Sequence, residues 1–166
     1  MISPRVALTL LALLFPCLVV ANFEEDYEIK TWQEVAVQLP AAPKEENLLP
    51  FYVSAATDHR FLVDTASISV GSDGVVRYTL IVLTSGGARN VSFEGMRCET
   101  RESRVYAFGR ADGAWSKSRS NQWRTVRQLD VNRHHAALFL DHFCPGGVIV
   151  QRREDALRSL REAARR

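Results

Sequence analysis

Phe61-Leu62-Val63-Asp64-Thr65-Ala66-Ser67-Ile68-Ser69-Val70, then Gly71-Ser72-Asp73-Gly74, then Val75-Val76-Arg77-Tyr78-Thr79-Leu80-Ile81-Val82-Leu83-Thr84: this stretch decides the fold. Both long runs are rich in β-branched and aromatic residues, which suit a pleated, half-buried surface. The Gly-Ser-Asp-Gly segment between them has the composition of a tight turn. Side chains alternate across a strand, so Val76, Tyr78, Leu80 and Val82 share one face of the second run. Arg77 and Thr79 share the other face with Ile81 and Leu83. One face is apolar throughout and the other becomes apolar at its end. That pattern predicts a central strand covered on both sides there.

The alternation continues outward. Leu49 to Ser54 is a short strand candidate upstream. Downstream, Ser85-Gly86-Gly87 turns the chain, and Asn90 to Glu99 follows with Val91 and Phe93 on one face and Met96 and Cys98 on the other. Arg104 to Arg110 is the next strand, turned by Asp112-Gly113. The period then changes to that of a helix. Asp130 to Phe143 reads as one, with Asp130 as N-cap and Pro145-Gly146-Gly147 as the stop. Arg153 to Ala164 reads as a second, with acids in its first turn and arginines near its end. The expected class is α+β: an antiparallel meander of about five strands with C-terminal helices packed on it.

Composition bounds the possibilities. The chain has 166 residues, 46% hydrophobic and 24% charged, which fits one folded domain rather than a disordered or low-complexity chain. A formal net charge of +2 carries no polyelectrolyte signal, so nucleic acid is not an expected partner. Arg5 is the sole charge in residues 1–21, and an apolar run from Val6 to Val20 ends in Val19-Val20-Ala21. This is the pattern of a signal peptide cleaved after Ala21. As a helix the run would span about 22 Å, short of the roughly 30 Å hydrocarbon core. Lipid attachment at Cys17 is the rival reading, although Leu14-Phe15-Pro16 before it fits poorly. The expected location is periplasmic or secreted, with no transmembrane span after cleavage. Four parts are expected: the signal peptide at 1–21, an acidic segment at 22–47, the main domain at 48–147 and a basic C-terminal helix at 148–166.

Beyond residues 1–21 the cysteines are Cys98 and Cys144. In an exported chain an even count favours a disulfide; two buried free thiols are the alternative. The pair is not a C-x-x-C redox motif. Motifs of the common hydrolases, zinc proteases and nucleotide-binding folds are missing, so no cofactor is expected. His135 and His142 fall in the apolar stripe of the first helix beside Leu138 and Phe139. They lie about 10.5 Å apart along the axis, too far to share one ion unaided. Asp130 and His134, four residues apart, are a better local pair, either as a cap or as a surface ion pair. Structural histidines are the favoured reading for all three, with ligand or acid–base roles as the alternative.

The segment from Arg110 to Arg133 is the candidate binding patch. It carries Arg110, Arg119, Arg124 and Arg127 among its cations, with Trp115 and Trp123 interleaved. Such residues can grip an anionic or sugar-like ligand by charge-assisted hydrogen bonds and ring stacking. The competing reading buries both indoles and leaves the cations solvated. Arg77 and Glu94 are charges in predicted central strands, either paired with each other across the strands or lying on a solvated face. The basic C-terminal helix is expected to dock on its own domain rather than on lipid. Asn90-Val91-Ser92 matches a glycosylation sequon but lies within a predicted strand.

Several blocks resemble the CNP-like family. They are Leu48-Leu49-Pro50-Phe51, Val53-Ser54, Ser69 to Leu80, Gly87 to Cys98, Tyr106-Ala107-Phe108-Gly109-Arg110, Trp115 and Phe143-Cys144-Pro145. The resemblance covers most of residues 32–146. It implies a small exported bacterial protein of one domain with two cysteines, and carries over no catalytic residues. The functional expectation is a non-enzymatic binding or interaction module for a periplasmic partner protein or an anionic glycan. A structural accessory subunit of an envelope complex is the alternative. A hydrolase or metal-dependent enzyme using the histidines ranks behind both.

Overall fold

Seven strands form one antiparallel sheet in the computed structural model, which describes residues 31–128 and 133–165. They are β1 (Leu48–Phe51), β2 (Arg60–Val70), β3 (Val75–Leu83), β4 (Arg89–Arg97), β5 (Glu102–Gly109), β6 (Trp115–Lys117) and β7 (Arg124–Thr125). The first six are neighbours in chain order, and β7 pairs with the opposite end of β5. The helices follow: α1 (Arg133–Ala137) widens into a π-helical stretch, Leu138–Phe143, and α2 is Arg153–Ala163. This is the expected α+β meander with two strands added. β6 has three residues and β7 two, too few for alternation to show in the sequence. The expected signal peptide, the acids from Glu24 to Glu28 and the expected cap at Asp130 lie outside the described residues.

The hairpins follow their turn chemistry. Gly74 has φ +74°, which a residue with a side chain rarely adopts, and it closes the β2–β3 turn with its N–H on the Gly71 carbonyl. Pro50 is tolerated because β1 is the edge strand. Within β2 the register slips between Asp64 and Ser69. There the Ser67 hydroxyl accepts the Thr79 N–H at 2.8 Å and donates to the Asp64 carbonyl at 2.7 Å, replacing a ladder bond.

β3 is buried along most of its length, as its pattern predicts. Val76, Tyr78 and Leu80 face a core closed by Leu138, Phe139 and Phe143 and by Ala156, Leu157 and Leu160 of α2. The C-terminal helix therefore docks on its own sheet. Cys98 and Cys144 form a disulfide with Cα atoms 5.5 Å apart, tying the end of β4 to the end of the π-helical stretch.

The opposite face is covered by an extended strap, residues 32–40. The Trp32 indole N–H donates to the Asp73 carbonyl at 2.8 Å, and the Trp115 indole N–H donates to the Pro40 carbonyl at 2.7 Å. A register shift in the β4–β5 pairing gives β5 one extra residue there, and Tyr106 lies across Gly95. A Cβ at Gly95 would stand 2.8 Å from Tyr106 Cζ, so any side chain at that position must displace the phenol.

The Arg77–Glu94 pair is not formed. The register sets Arg77 opposite Gly95 and Tyr78 opposite Glu94, so the two charges project from opposite faces. Arg77 pairs instead with Asp73 at 2.5 Å and approaches Glu34 at 3.6 Å. Neither charge lies on a solvated face, since Arg77 is 6% and Glu94 3% exposed.

Candidate functional site

A charged cluster interrupts the apolar helix face. Glu94 accepts a hydrogen bond from the Ser92 hydroxyl at 2.5 Å and from the Tyr78 hydroxyl at 3.0 Å. The His135 Nε2–H from α1 completes the set at 2.7 Å. Burial opposes charge on Glu94, but the attraction and hydrogen bond of His135 and the Ser92 hydroxyl outweigh it and hold the carboxyl at about 2. Burial likewise opposes charge on His135, yet Glu94 raises it above its ordinary value. The neighbouring His134 is pushed down to about 4, first by burial and then by repulsion from His135. Adjacent histidines are thus driven in opposite directions, His135 towards the charged form and His134 towards the neutral one.

His135 also forms part of the wall of a cleft of about 260 Å³. The cleft lies beside β5, in the gap where β6 has ended and β7 has not begun. Arg124 and Arg127 line it with the half-exposed ring of Phe108. Ser103, Ser118, Ser120 and Gln122 add hydroxyls and an amide. Arg104 also reaches the cleft, but its guanidinium is engaged by Glu34 at 2.6 Å and Asn121 at 2.7 Å. Among the described residues no carboxylate pairs with Arg124 or Arg127. The cleft therefore offers two guanidinium groups that no described carboxylate engages and a carboxylate-backed imidazole next to hydroxyls and an aromatic ring. Its volume falls just below the roughly 300–1,000 Å³ usual for small-molecule sites, room for one small unit of a larger ligand.

The six residues of the expected patch are divided by the fold. Arg124 and Arg127 meet in the cleft. Arg110 is exposed at the β5–β6 turn. Arg124 pairs with Ser103 and Trp115 with Gly109, so the two ends of the patch lie about 20 Å apart along β5 at the usual strand rise. Arg119 is exposed in the connection between β6 and β7. Trp115 and Trp123 are half-buried on the strap face, where Trp123 packs edge-on against Trp32 and Tyr106. The sequence does not mark Glu94, Tyr78 and Ser92 as a site. Their only sequence signal is a carboxylate and a phenol at positions that alternation assigns to the interior.

The other histidines have structural partners. His134 stacks on Phe61 with centroids 5.3 Å apart, beside an open depression of about 510 Å³. His142 is buried with its Nδ1 2.9 Å from the Ser159 hydroxyl. Among the described residues no three His, Cys, Asp or Glu side chains converge as a metal-binding group. Nor is any described helix long and apolar enough to cross a membrane.

Fold and site together define a small disulfide-tied α+β meander with a buried Glu–His pair opening on a cationic cleft. The chain belongs to the CNP1-like family, whose model matches residues 27–161. It is 24% identical over 140 residues to cryptic neisserial protein 1 of Neisseria gonorrhoeae (strain ATCC 700825 / FA 1090), covering 75% of this chain and 69% of that protein. No solved structure matches it.

Proposed function

We propose that the chain is a non-enzymatic binding module of the bacterial envelope, and that its cleft takes an acidic sugar unit of an anionic glycan. The observation that carries this reading is the convergence of Arg124, Arg127 and the Glu94-backed His135 on one cleft with Phe108. Guanidinium forks suit carboxylate and phosphate groups, and hydroxyls and an amide suit the rest of a sugar ring.

Calorimetric titration with lipopolysaccharide-core and acidic cell-wall fragments, beside neutral oligosaccharides of equal length, tests it. Acidic fragments should bind and neutral ones should not, and Arg124→Ala or Arg127→Ala should each weaken binding by about tenfold or more. Absence of binding, or equal binding by both variants, overturns the reading. Specific binding of an envelope protein at the cleft, with no fragment bound, would replace the glycan by a protein partner.

Export belongs to the same proposal. The charge-then-apolar pattern of residues 1–21 and the disulfide support it. An intact mass beginning at Asn22, lighter by one hydrogen per cysteine until reduction, is the expected result. A lipidated mass beginning at Cys17 would move the protein to a membrane surface. A retained leader with free thiols would overturn export.

A further inference from the structure

The strap is held as a bound peptide is held. Its side chains alternate, with Trp32 and Glu34 turned inward and Gln33 and Val35 outward. Among the described residues no backbone-to-backbone hydrogen bond joins residues 32–40 to the sheet. Side chains make the attachments. Glu34 lies between the Arg104 guanidinium at 2.6 Å and the Tyr106 hydroxyl at 2.6 Å. Trp32 is capped by the Arg97 guanidinium, 4.1 Å from the ring centroid. Asp73 accepts the Val35 N–H at 2.9 Å and anchors Arg77. With the strap in place the groove floor is buried, the Arg77 side chain 8% and the Asp73 side chain 1% exposed.

The strap does not satisfy everything it covers. The Nε–H groups of Arg77, Arg97 and Arg104 are buried without an acceptor among the described residues. Arg77 and Arg97 have carboxylates of the sheet and its turns beside them, Asp73 and Glu99, whereas among the described residues the carboxylate that Arg104 meets is Glu34 of the strap. A groove that grips one strap carboxylate and, among the described residues, leaves three guanidinium Nε–H groups without an acceptor matches an occupant richer in acid than the strap.

We propose that this groove is a docking site for an extended acidic peptide segment of a partner protein, read as an aromatic residue followed two positions later by an acid. Residues 32–40 are its built-in occupant and compete with the partner. A second copy would place the same residues 32–40 on the groove, and these give the three Nε–H groups no acceptor, so a partner segment with more acid at those positions fits better. A tethered occupant acts at an effective concentration of the order of millimolar, so a free peptide must outcompete it.

Fluorescence anisotropy with a labelled peptide of residues 31–41 tests the proposal on the full chain. The Trp32→Ala/Glu34→Ala protein, whose own strap is weakened, should bind the peptide about tenfold or more tightly than the unaltered protein. A peptide carrying Glu34→Ala should not bind, and adding Arg104→Ala to the protein should abolish capture. Arg124→Ala/Arg127→Ala should leave capture unchanged, which separates this groove from the cleft. Should the double variant lose its thermal transition, Glu34→Gln alone takes its place with the same expectations. A folded strap variant that ignores the peptide at millimolar concentration overturns the proposal, as does equal binding of both peptides. A wild-type dimer that exchanges straps overturns it in favour of a second copy.

Discussion

The two faces of β3 are built from alternate residues of one strand and are held by different forces. The helix face is an apolar core, from Val76, Tyr78 and Leu80 to Phe143 and Leu160, closed by a disulfide and containing one ionised cluster. The strap face is an assembly of arginines, aromatic rings and one inserted carboxylate over an extended segment. Burial on the helix face is cooperative and non-directional. Attachment on the strap face is a set of separate, directional contacts. The difference teaches that a strand covered on both sides need not have two equivalent cores.

The largest break of that comparison is expected at the disulfide. Replacing Cys98 and Cys144 by alanine releases a 46-residue separation and should cost about 4 kcal/mol in the chain-entropy description. Urea denaturation of the double variant, against the oxidised protein, measures it. A loss under 1 kcal/mol would mean that the helix face closes without its covalent tie.

Next comes Glu94→Gln, which strips the charge from the cluster and should cost about 3 kcal/mol. Its pH dependence has a definite sign. Glu94 is held at about 2 against an ordinary 4.5, so its contribution is full above that value and is lost as pH falls towards 2. His134, held at about 4 against 6.5, adds a loss of stability as pH falls through that window. His135 is raised, so its contribution is full below 6.5 and is lost as pH rises through its folded value. Melting temperatures across pH should show a smaller acid decline below 4.5 in Glu94→Gln than in the unaltered protein. Equal declines would remove Glu94 as the source.

Gly95→Ala sharpens the comparison from the other side. It forces Tyr106 from its place over Gly95 and should cost about 2 kcal/mol, in the range of overpacking. The disturbance should be confined to the strap face. Tryptophan fluorescence should change while the acid profile set by Glu94 stays as it was. The smallest effect is expected for Arg124→Ala/Arg127→Ala, both exposed, with stability unchanged within about 0.5 kcal/mol. A larger loss in a thermal melt would make these arginines structural rather than ligand-facing.

The sheet was legible in the sequence where the signal is local. The Gly71–Gly74 turn, the alternation of β3 and β4 and the change of period after the last long strand give the meander its order. β6 and β7 were not legible, because two or three residues cannot display a period. The disulfide pairing was legible because only two cysteines lie beyond the first 21 residues. The site was legible in part. Arg124 and Arg127 were in the expected patch, but spacing along the chain does not reveal that Trp115 and Trp123 turn to the strap face. The Glu94–His135 contact joins residues 41 apart, with no pattern linking them.

Alternation, turn glycines, helix period and cysteine count thus determine the α+β class, the strand order and the covalent tie, because each is a property of neighbouring residues or of a count. The tertiary structure decides which charges meet. Register sends Arg77 and Glu94 to opposite faces, α1 delivers His135 to a buried carboxylate, and the strap brings Glu34 to Arg104 across 70 residues. Those outcomes depend on how separate elements dock. A charge finds its partner there through desolvation and geometry, neither of which is written in the spacing of the chain.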